Sequence, residues 1–384
     1  MEIELKKLGE ITTGNTPSKK DDSYWDSEDI CFVKPDGIAD EGITLINDSS
    51  EYISENARSK ARVVSKDAVF VTCIGSIGKI GIASSGDYAF NQQINVIEPN
   101  EKVLPRYLAY NLLYSKPRLE AIANAPVVPI INKTQFGDFK LNIEEDRAKQ
   151  AEIVSVLDKL TGIIESRKKE LESFDELIKA RFVELFGDPV SNPKKWEKKA
   201  LLDEAEIKIG PFGSLLHKED YIVGGHALIN PSHIVDGKIV PDDKLTVSDE
   251  KYGELSAYHL QVGDVVMGRR GEMGRCAVVE QAGLLCGTGS LLIRTNGDLS
   301  ADYIQKIISF PSFKRTIEDM AVGQTMPNLN VPIVSAFQII KPPKRVQDQY
   351  YAFVAQVDKS KVAVQAALDK AQLLFDSLMQ EYFG

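Results

Sequence analysis

The sequence predicts an α/β (α+β) protein in which two tandem globular domains are separated by two long antiparallel coiled-coil helices, giving a pseudo-two-fold dumbbell. Three observations carry this expectation. The chain repeats itself at a shift near 196 residues, each repeat opens with short β-branched runs between turn formers, and each closes with a proline-free stretch of heptad-spaced apolar residues.

The repeat is visible in short matched segments. "ITTG" at 11–14 aligns with "IKIG" at 207–210, and "VKPDGIADEGI" at 33–43 with "INPSHIVDGKI" at 229–239, both at a shift of 196. Gly75 and Gly78 pair with Gly271 and Gly274 at that shift, Asp67 with Asp264 at 197, and Asn132 and Phe139 with Asn330 and Phe337 at 198. The two repeats end alike, in "ELFG" and "EYFG". A nearly constant shift over most of the chain points to tandem duplication.

Within each head, "AVFVTCI", "INVIEP", "DVVM" and "SLLIRT" read as strands bounded by Gly, Pro, Asn and Asp. "PRYLAYNLLYS" and "ADYIQKIISF" read as short helices, the first opened by Pro105 and halted before Pro117. No regular strand–helix alternation favours a doubly wound sheet, so an antiparallel or mixed sheet is expected. The domains are placed at 1–143 and 188–345, with long helices at 144–187 and 346–384.

In the first long stretch, apolar residues recur at Ile153, Val156, Leu160 and Ile163, lapse at Arg167, and resume at Leu171 and Phe174. The second stretch is cleaner: Tyr350, Val354, Val357, Lys361, Val364, Leu368, Ala371, Phe375, Leu378 and Tyr382 step by alternating fours and threes, with only Lys361 out of class. Such a repeat is a coiled-coil seam, and the two helices most simply bury their seams against each other. The alternative is that each helix folds back on its own head.

At 384 residues the chain suits two or three domains, each able to bury a core without cross-links. Cys31, Cys73, Cys276 and Cys286 show no paired ligand spacing, so reduced thiols in a cytoplasmic protein are expected and a metal site is not. The N-terminus is charged from its second residue, and no run of 18 apolar residues occurs, so neither export nor membrane insertion is expected. The net charge of −10 disfavours a protein that coats nucleic acid but allows local basic patches.

One such patch is "GRRGEMGRCAVV" at 268–279, where Arg269, Arg270 and Arg275 against Glu272 leave a local charge of +2. Its partner, "GSIGKI" at 75–80, has the look of a phosphate loop but lacks the first glycine, where Cys73 stands, and the hydroxyl, where Ile80 stands. "NPSH" at 230–233 lacks the aromatic of an amino-methyltransferase motif and reads as a turn. "VPDDK" at 240–244 is too compressed for a nuclease carboxylate cluster, and His217, His226, His233 and His259 make no i, i+4 pair. The motif inventory is that of a binder.

Two α/β heads in tandem, each followed by a long helix, with "GSIGKIGI" and "NQQINVIEPN" in one and "GRRGEMGRCAVV" and "CGTGSLLIRTN" in the other, resemble the specificity (S) subunit of type I restriction–modification enzymes over essentially the whole chain. The "ARFVELFGDP" exit of the first helix adds to the likeness. The resemblance implies that each head is a target recognition domain reading one half of a split, asymmetric site in double-stranded DNA, with the helices setting the spacer. It also implies docking of two methyltransferase subunits and two restriction subunits. S-adenosylmethionine and ATP are then expected on those partners and no cofactor on this chain, which performs no chemistry. A scaffold whose heads bind protein is the competing class; it explains the acidity and the coiled coil but not the clustered arginines.

Glycines let a loop approach a phosphate closely, so Arg269, Arg270 and Arg275, with Ser76 and Lys79 in the first head, are expected to clamp the DNA backbone. Base readers are expected where the heads diverge, at Lys19, Lys20, Tyr24 and Trp25 in one and at His217, Lys218 and Tyr221 in the other.

Overall fold

The run Val69–Thr72 is buried along its whole length, as an interior strand of β-branched and aromatic residues should be. The computed structural model describes residues 1–123, 128–321 and 328–384. They form two compact units, Met1–Leu171 with Val362–Gly384, and Glu172–Lys361.

In the first unit, Gly9–Thr13, Ile94–Pro99, Val69–Thr72, Ile80–Ala83 and Ile43–Ile46 form a five-stranded sheet in that order. All neighbours are antiparallel except the last pair. A second sheet orders Tyr52–Ile53, Ile30–Val33, Tyr88–Phe90 and Val63–Val64, with its central pair parallel. The second unit repeats the plan. Ala205–Ile209, Ser290–Thr295, Val265–Gly268 and Cys276–Val278 form one antiparallel sheet, and a mixed sheet centred on His226–Ile229 forms the other. The sheets are mixed, as the irregular spacing of strand and helix signals requires.

The short helices have legible causes. Pro105 starts Pro105–Tyr114 at a position where a missing N–H costs nothing, and Ser300 caps Ala301–Ser309 by accepting the Tyr303 N–H. Pro117 does more than halt its neighbour: it sits in the first turn of a further helix, Lys116–Ile122. Asn132 and Asn330, paired by the repeat, each cap the next helix, taking the N–H of Gln135 and of Ile333. The Asp67–Asp264 match is a one-residue coincidence. Asp67 (φ +70°) occupies the place of Gly263 (φ +91°), each two residues before its strand.

Each head is followed by a 40-residue helix, Arg147–Phe186 and Lys344–Phe383, about 60 Å long at about 1.5 Å per residue. Within the second unit Lys361 pairs with Asp175 at 2.7 Å, Arg181 lies over the Phe353 ring at 5.5 Å, and Phe186 meets Tyr350 at 5.3 Å. Residue numbers rise on one helix as they fall on the other, so these segments run antiparallel. Within the first unit, Leu157, Met379 and Phe383 are part of the core of the head, with Ile153, Phe375 and Leu378 packed against it. Among the described residues no helix is long and apolar enough to cross a membrane.

On the second helix Val357 and Val364 are buried, and Val354, Leu368, Phe375 and Leu378 are half-buried. On the first, Leu160 is buried, while Ile153 and Phe174 are half-buried. Val156 and Ile163, expected in the seam, are not in it: they are 37% and 46% exposed, whereas their neighbours Leu157 and Ile164 are 0% and 8% exposed. Both sites carry adjacent apolar residues, which periodicity over a short window cannot tell apart. The phase that continues down the helix is 153, 157, 160, 164, 167, 171, 174, with half-buried Arg167 occupying a seam position through its aliphatic stem. The lapse is therefore only in polarity.

This register makes a paired prediction. Ile164→Ala should lower stability by about 2–4 kcal/mol, as for other buried aliphatic truncations, and Ile163→Ala by no more than about 0.5 kcal/mol. Denaturant unfolding of the two variants checks it, and equal losses would contradict the register.

Candidate nucleic-acid interface

In the first head, Gly9–Thr13 and Val69–Thr72 both pair antiparallel with Ile94–Pro99, with Thr13 opposite Asn95 and Thr72 opposite Ile94. One end of the sheet therefore emits three connections: the loop from Gly14 that carries Lys19, Lys20, Tyr24 and Trp25, the glycine turn 73–79, and the turn 91–93. The second head does the same. Ile209 lies opposite Leu291 and Gly268 opposite Ser290, so the loop toward His217 and Lys218, the turn 269–275 and the turn 287–289 share one end. The topology thus gathers at one sheet end segments that lie far apart in sequence.

The glycine turns are the same structure twice. Gly75 and Gly78 have φ of +78° and +75°, and Gly271 and Gly274 have +80° and +74°, a region where an L side chain is strained. A Cβ on Gly78 would stand 2.8 Å from Lys116 Cγ, and one on Gly274 2.8 Å from Lys314 Cγ. Both turns are pinned by the strand-like segment near 130 or 328. Ile131 donates its N–H to Cys73 O at 2.8 Å, and Leu329 its N–H to Arg269 O at 2.9 Å.

The basic residue after the second glycine is tied down in both heads. Lys79, with a side chain only 12% exposed, pairs with Asp40 at 2.9 Å and donates to Pro35 O at 3.3 Å. Arg275 pairs with Glu272 at 2.5 Å and donates to Pro231 O at 3.3 Å, the repeat-equivalent carbonyl. A lysine from the following helix completes each arrangement: Lys116 donates to Asp40 O at 3.0 Å, and Lys314 pairs with Glu272 at 3.1 Å. Lys79 holds the Asp40 carboxyl below its usual range, and Arg275 with Lys314 does so for Glu272. Lys79 and Arg275, expected as phosphate clamps, are placed as internal braces of the turn. Sequence spacing shows neither pairing: Glu272 counts there only as a charge offsetting the arginines, and Asp40 lies in a segment 39 residues before Lys79.

What the turns present outward differs. Ser76 is exposed at the first turn. In the second, Arg269 is half-buried and donates from Nε to Asn328 Oδ1 at 3.1 Å, while exposed Arg270 has no carboxylate partner among the described residues. Lys20, His217 and Lys218 are exposed. Lys19 lies over the Trp25 ring at 5.2 Å and 3.5 Å from Glu51, a surface pair of small energetic weight. Tyr24 and Trp25 are half-buried and contribute to packing, Trp25 meeting Phe32 edge-on at 5.2 Å. Tyr221 likewise packs against the cluster of Leu228 and Val247. The loop aromatics thus anchor the loops, leaving the cations at the surface.

The remaining candidates resolve as structure. His226, Tyr252 and His259 stack in series with ring centroids 3.7 Å apart, and buried His233 lies 2.9 Å from Leu228 O. Among the described residues no cluster of His, Cys, Asp and Glu is arranged to hold a metal ion. All four cysteines are free, and burial pushes the Cys73, Cys276 and Cys286 thiols up to about 12, 11 and 12.

Comparison with known proteins bears on this geometry. Residues 1–173 match the family model described as the type I restriction modification DNA specificity domain. The chain is 23% identical over 378 residues to the type I restriction enzyme MjaIX specificity subunit of Methanocaldococcus jannaschii, covering 91% of this chain and 84% of that one. It is 29% identical over 203 residues to the EcoR124I/EcoR124II specificity subunit of Escherichia coli, a match spanning 46% of this chain and 48% of the relative. The fold is that of the type I restriction-modification S subunit from M. genitalium, with a TM-score of 0.57 at 13% identity, covering 100% of this chain and 96% of that one. With two heads built on one plan, each followed by a long helix, the chain has the fold of a type I restriction–modification S subunit, is similar over most of its length to a type I specificity subunit, and matches the DNA specificity domain over residues 1–173.

Proposed function

We propose that this protein is the DNA sequence-recognition subunit of a type I restriction–modification complex, with one head for each half of a bipartite, asymmetric site. The observation that carries this reading is the pair of matched sheet ends. The backbone frame is held in common by the turns at 73–79 and 269–275, while the residues it presents differ between heads, as two readers of unlike sequences require.

The division of labour follows from the geometry. Lys79 and Arg275 fix the turns; Arg270, with Arg269 behind it, is the outward cation that meets a phosphate, positioning the duplex without reading it. The long helices set the distance between the half-sites, and two methyltransferase and two restriction subunits dock on the chain. Chemistry resides on those partners, which bind S-adenosylmethionine and ATP, and this chain acts in the cytoplasm as a non-catalytic reader.

Two measurements test the reading. In the complex with its methyltransferase partner, replacing Arg269 and Arg270 by alanine should weaken binding to all DNA sequences and flatten the dependence of log K on log salt by about 1 to 2 units; an unchanged slope contradicts the clamp. Deleting seven residues at equivalent positions in both helices shortens each by about 10 Å and should shorten the spacer by about three base pairs. A methylated site that keeps its original spacer contradicts the ruler.

A further inference from the structure

The turn at 91–93 lies between the two other connections of its sheet end, and its frame is repeated in the second head bond for bond. In the first head Asn91 donates its N–H to Val33 O at 3.2 Å, Ile94 donates to Asn91 O at 3.2 Å, and Cys73 donates to Gln93 O at 2.7 Å. In the second, Gly287 donates to Ile229 O at 3.0 Å, Ser290 to Gly287 O at 3.0 Å, and Arg269 to Gly289 O at 3.0 Å. Every donor and acceptor is displaced by 196 residues. The preceding loop is locked to the turn in the same way: a Cβ on Gly14 would lie 2.1 Å from Asn91 O, and one on Gly210 2.0 Å from Gly287 O. The central side chain breaks the identity. It is Gln92 in the first head and Thr288 in the second, and both are exposed.

Gln92 is also oriented. Thr16 Oγ1 donates to its Oε1 at 3.0 Å, which turns Oε1 toward Thr16, leaves the NH2 group available as donor and leaves the second lone pair of Oε1 as acceptor. The flanking Asn91 and Gln93 are held to each other, Asn91 Nδ2 donating to Gln93 Oε1 at 2.8 Å. A rigid turn that aims one primary amide outward is suited to a bidentate contact with the N6 and N7 edge of adenine, since that contact needs one donor and one acceptor in a fixed plane.

Resting on the recognition reading above, we infer that the central residue of this turn is a specificity-determining position of each head. Gln92, oriented by Thr16, reads an adenine in the first half-site, and Thr288 takes the same place in the second. The identical frame explains how the heads dock alike, and the unlike side chains explain how they discriminate differently.

The test maps methylated positions in DNA from cells co-expressing the full chain and its methyltransferase partner. With the unaltered chain, absence of any two-part motif overturns the recognition reading and this inference with it. Given a two-part motif, Gln92→Ala should relax selection at one adenine of one half-site by about 10- to 100-fold in relative methylation while leaving the other half-site and the spacer unchanged. Thr16→Val should relax the same position less, and Thr288→Gln should alter one position of the other half-site. A Gln92→Ala motif identical to that of the unaltered chain overturns the assignment. So does uniform loss of methylation with unchanged thermal unfolding, which would mark Gln92 as a sequence-independent backbone contact rather than a base reader.

Discussion

Each head closes its core on an aromatic side chain from the end of a long helix. Tyr107, buried in the first head, meets Phe383 edge-to-face at 5.2 Å; Tyr303, its counterpart at a shift of 196, meets Phe186 edge-to-face at 5.1 Å. Such a pair contributes about 0.5–1.5 kcal/mol beyond the area it buries, and here it also fixes where the helix ends on the head. The first head takes its phenylalanine from the second helix, and the second head takes its own from the first helix. Neither core is complete without a helix that belongs, in sequence, to the other repeat. The proposed ruler transmits length only through a stiff joint to each head, a place that this contact suits.

The second dependency runs outward from the sheets. A reader of DNA must place a few side chains reproducibly, so the connections that carry them cannot move independently. Both heads meet this need with the same devices: positive-φ glycines, a basic residue drawn inward to a proline carbonyl, and an acidic partner met by a helix lysine, at the Asp40 carbonyl in one head and the Glu272 carboxylate in the other. The braces carry no sequence information themselves. Their conservation between heads that otherwise diverge is what allows the outward positions to vary without disturbing the frame.

Much of this architecture was legible in the sequence because duplication repeats the physical requirement. Gly75 and Gly271 match at the repeat shift of 196, and both have positive φ. The seam of the second helix was legible because its apolar residues stand singly. The first helix was misphased at Val156 and Ile163, where paired apolar residues offer two registers and only the later course of the helix decides between them. The roles of Lys79 and Arg275 were hidden for a different reason. Their partners Asp40 and Pro35, or Pro231, arrive from other loops, and sequence spacing cannot show whether a cation faces solvent or a carbonyl. Gln92 lies in an unremarkable polar triplet of the sequence and acquires meaning only when strand pairing puts its turn beside the glycine turn.

The central claim is that each head reads its own half-site. It is tested most directly by a chain whose first head is replaced by a second copy of the second head, keeping both long helices, followed by mapping the methylated motif. The equivalence of Tyr107 with Tyr303 and of Phe383 with Phe186 leaves the head–helix contacts chemically matched in such a chain. The account predicts a symmetric motif built from the second half-site twice, with the spacer unchanged. Persistence of the original asymmetric motif would contradict it.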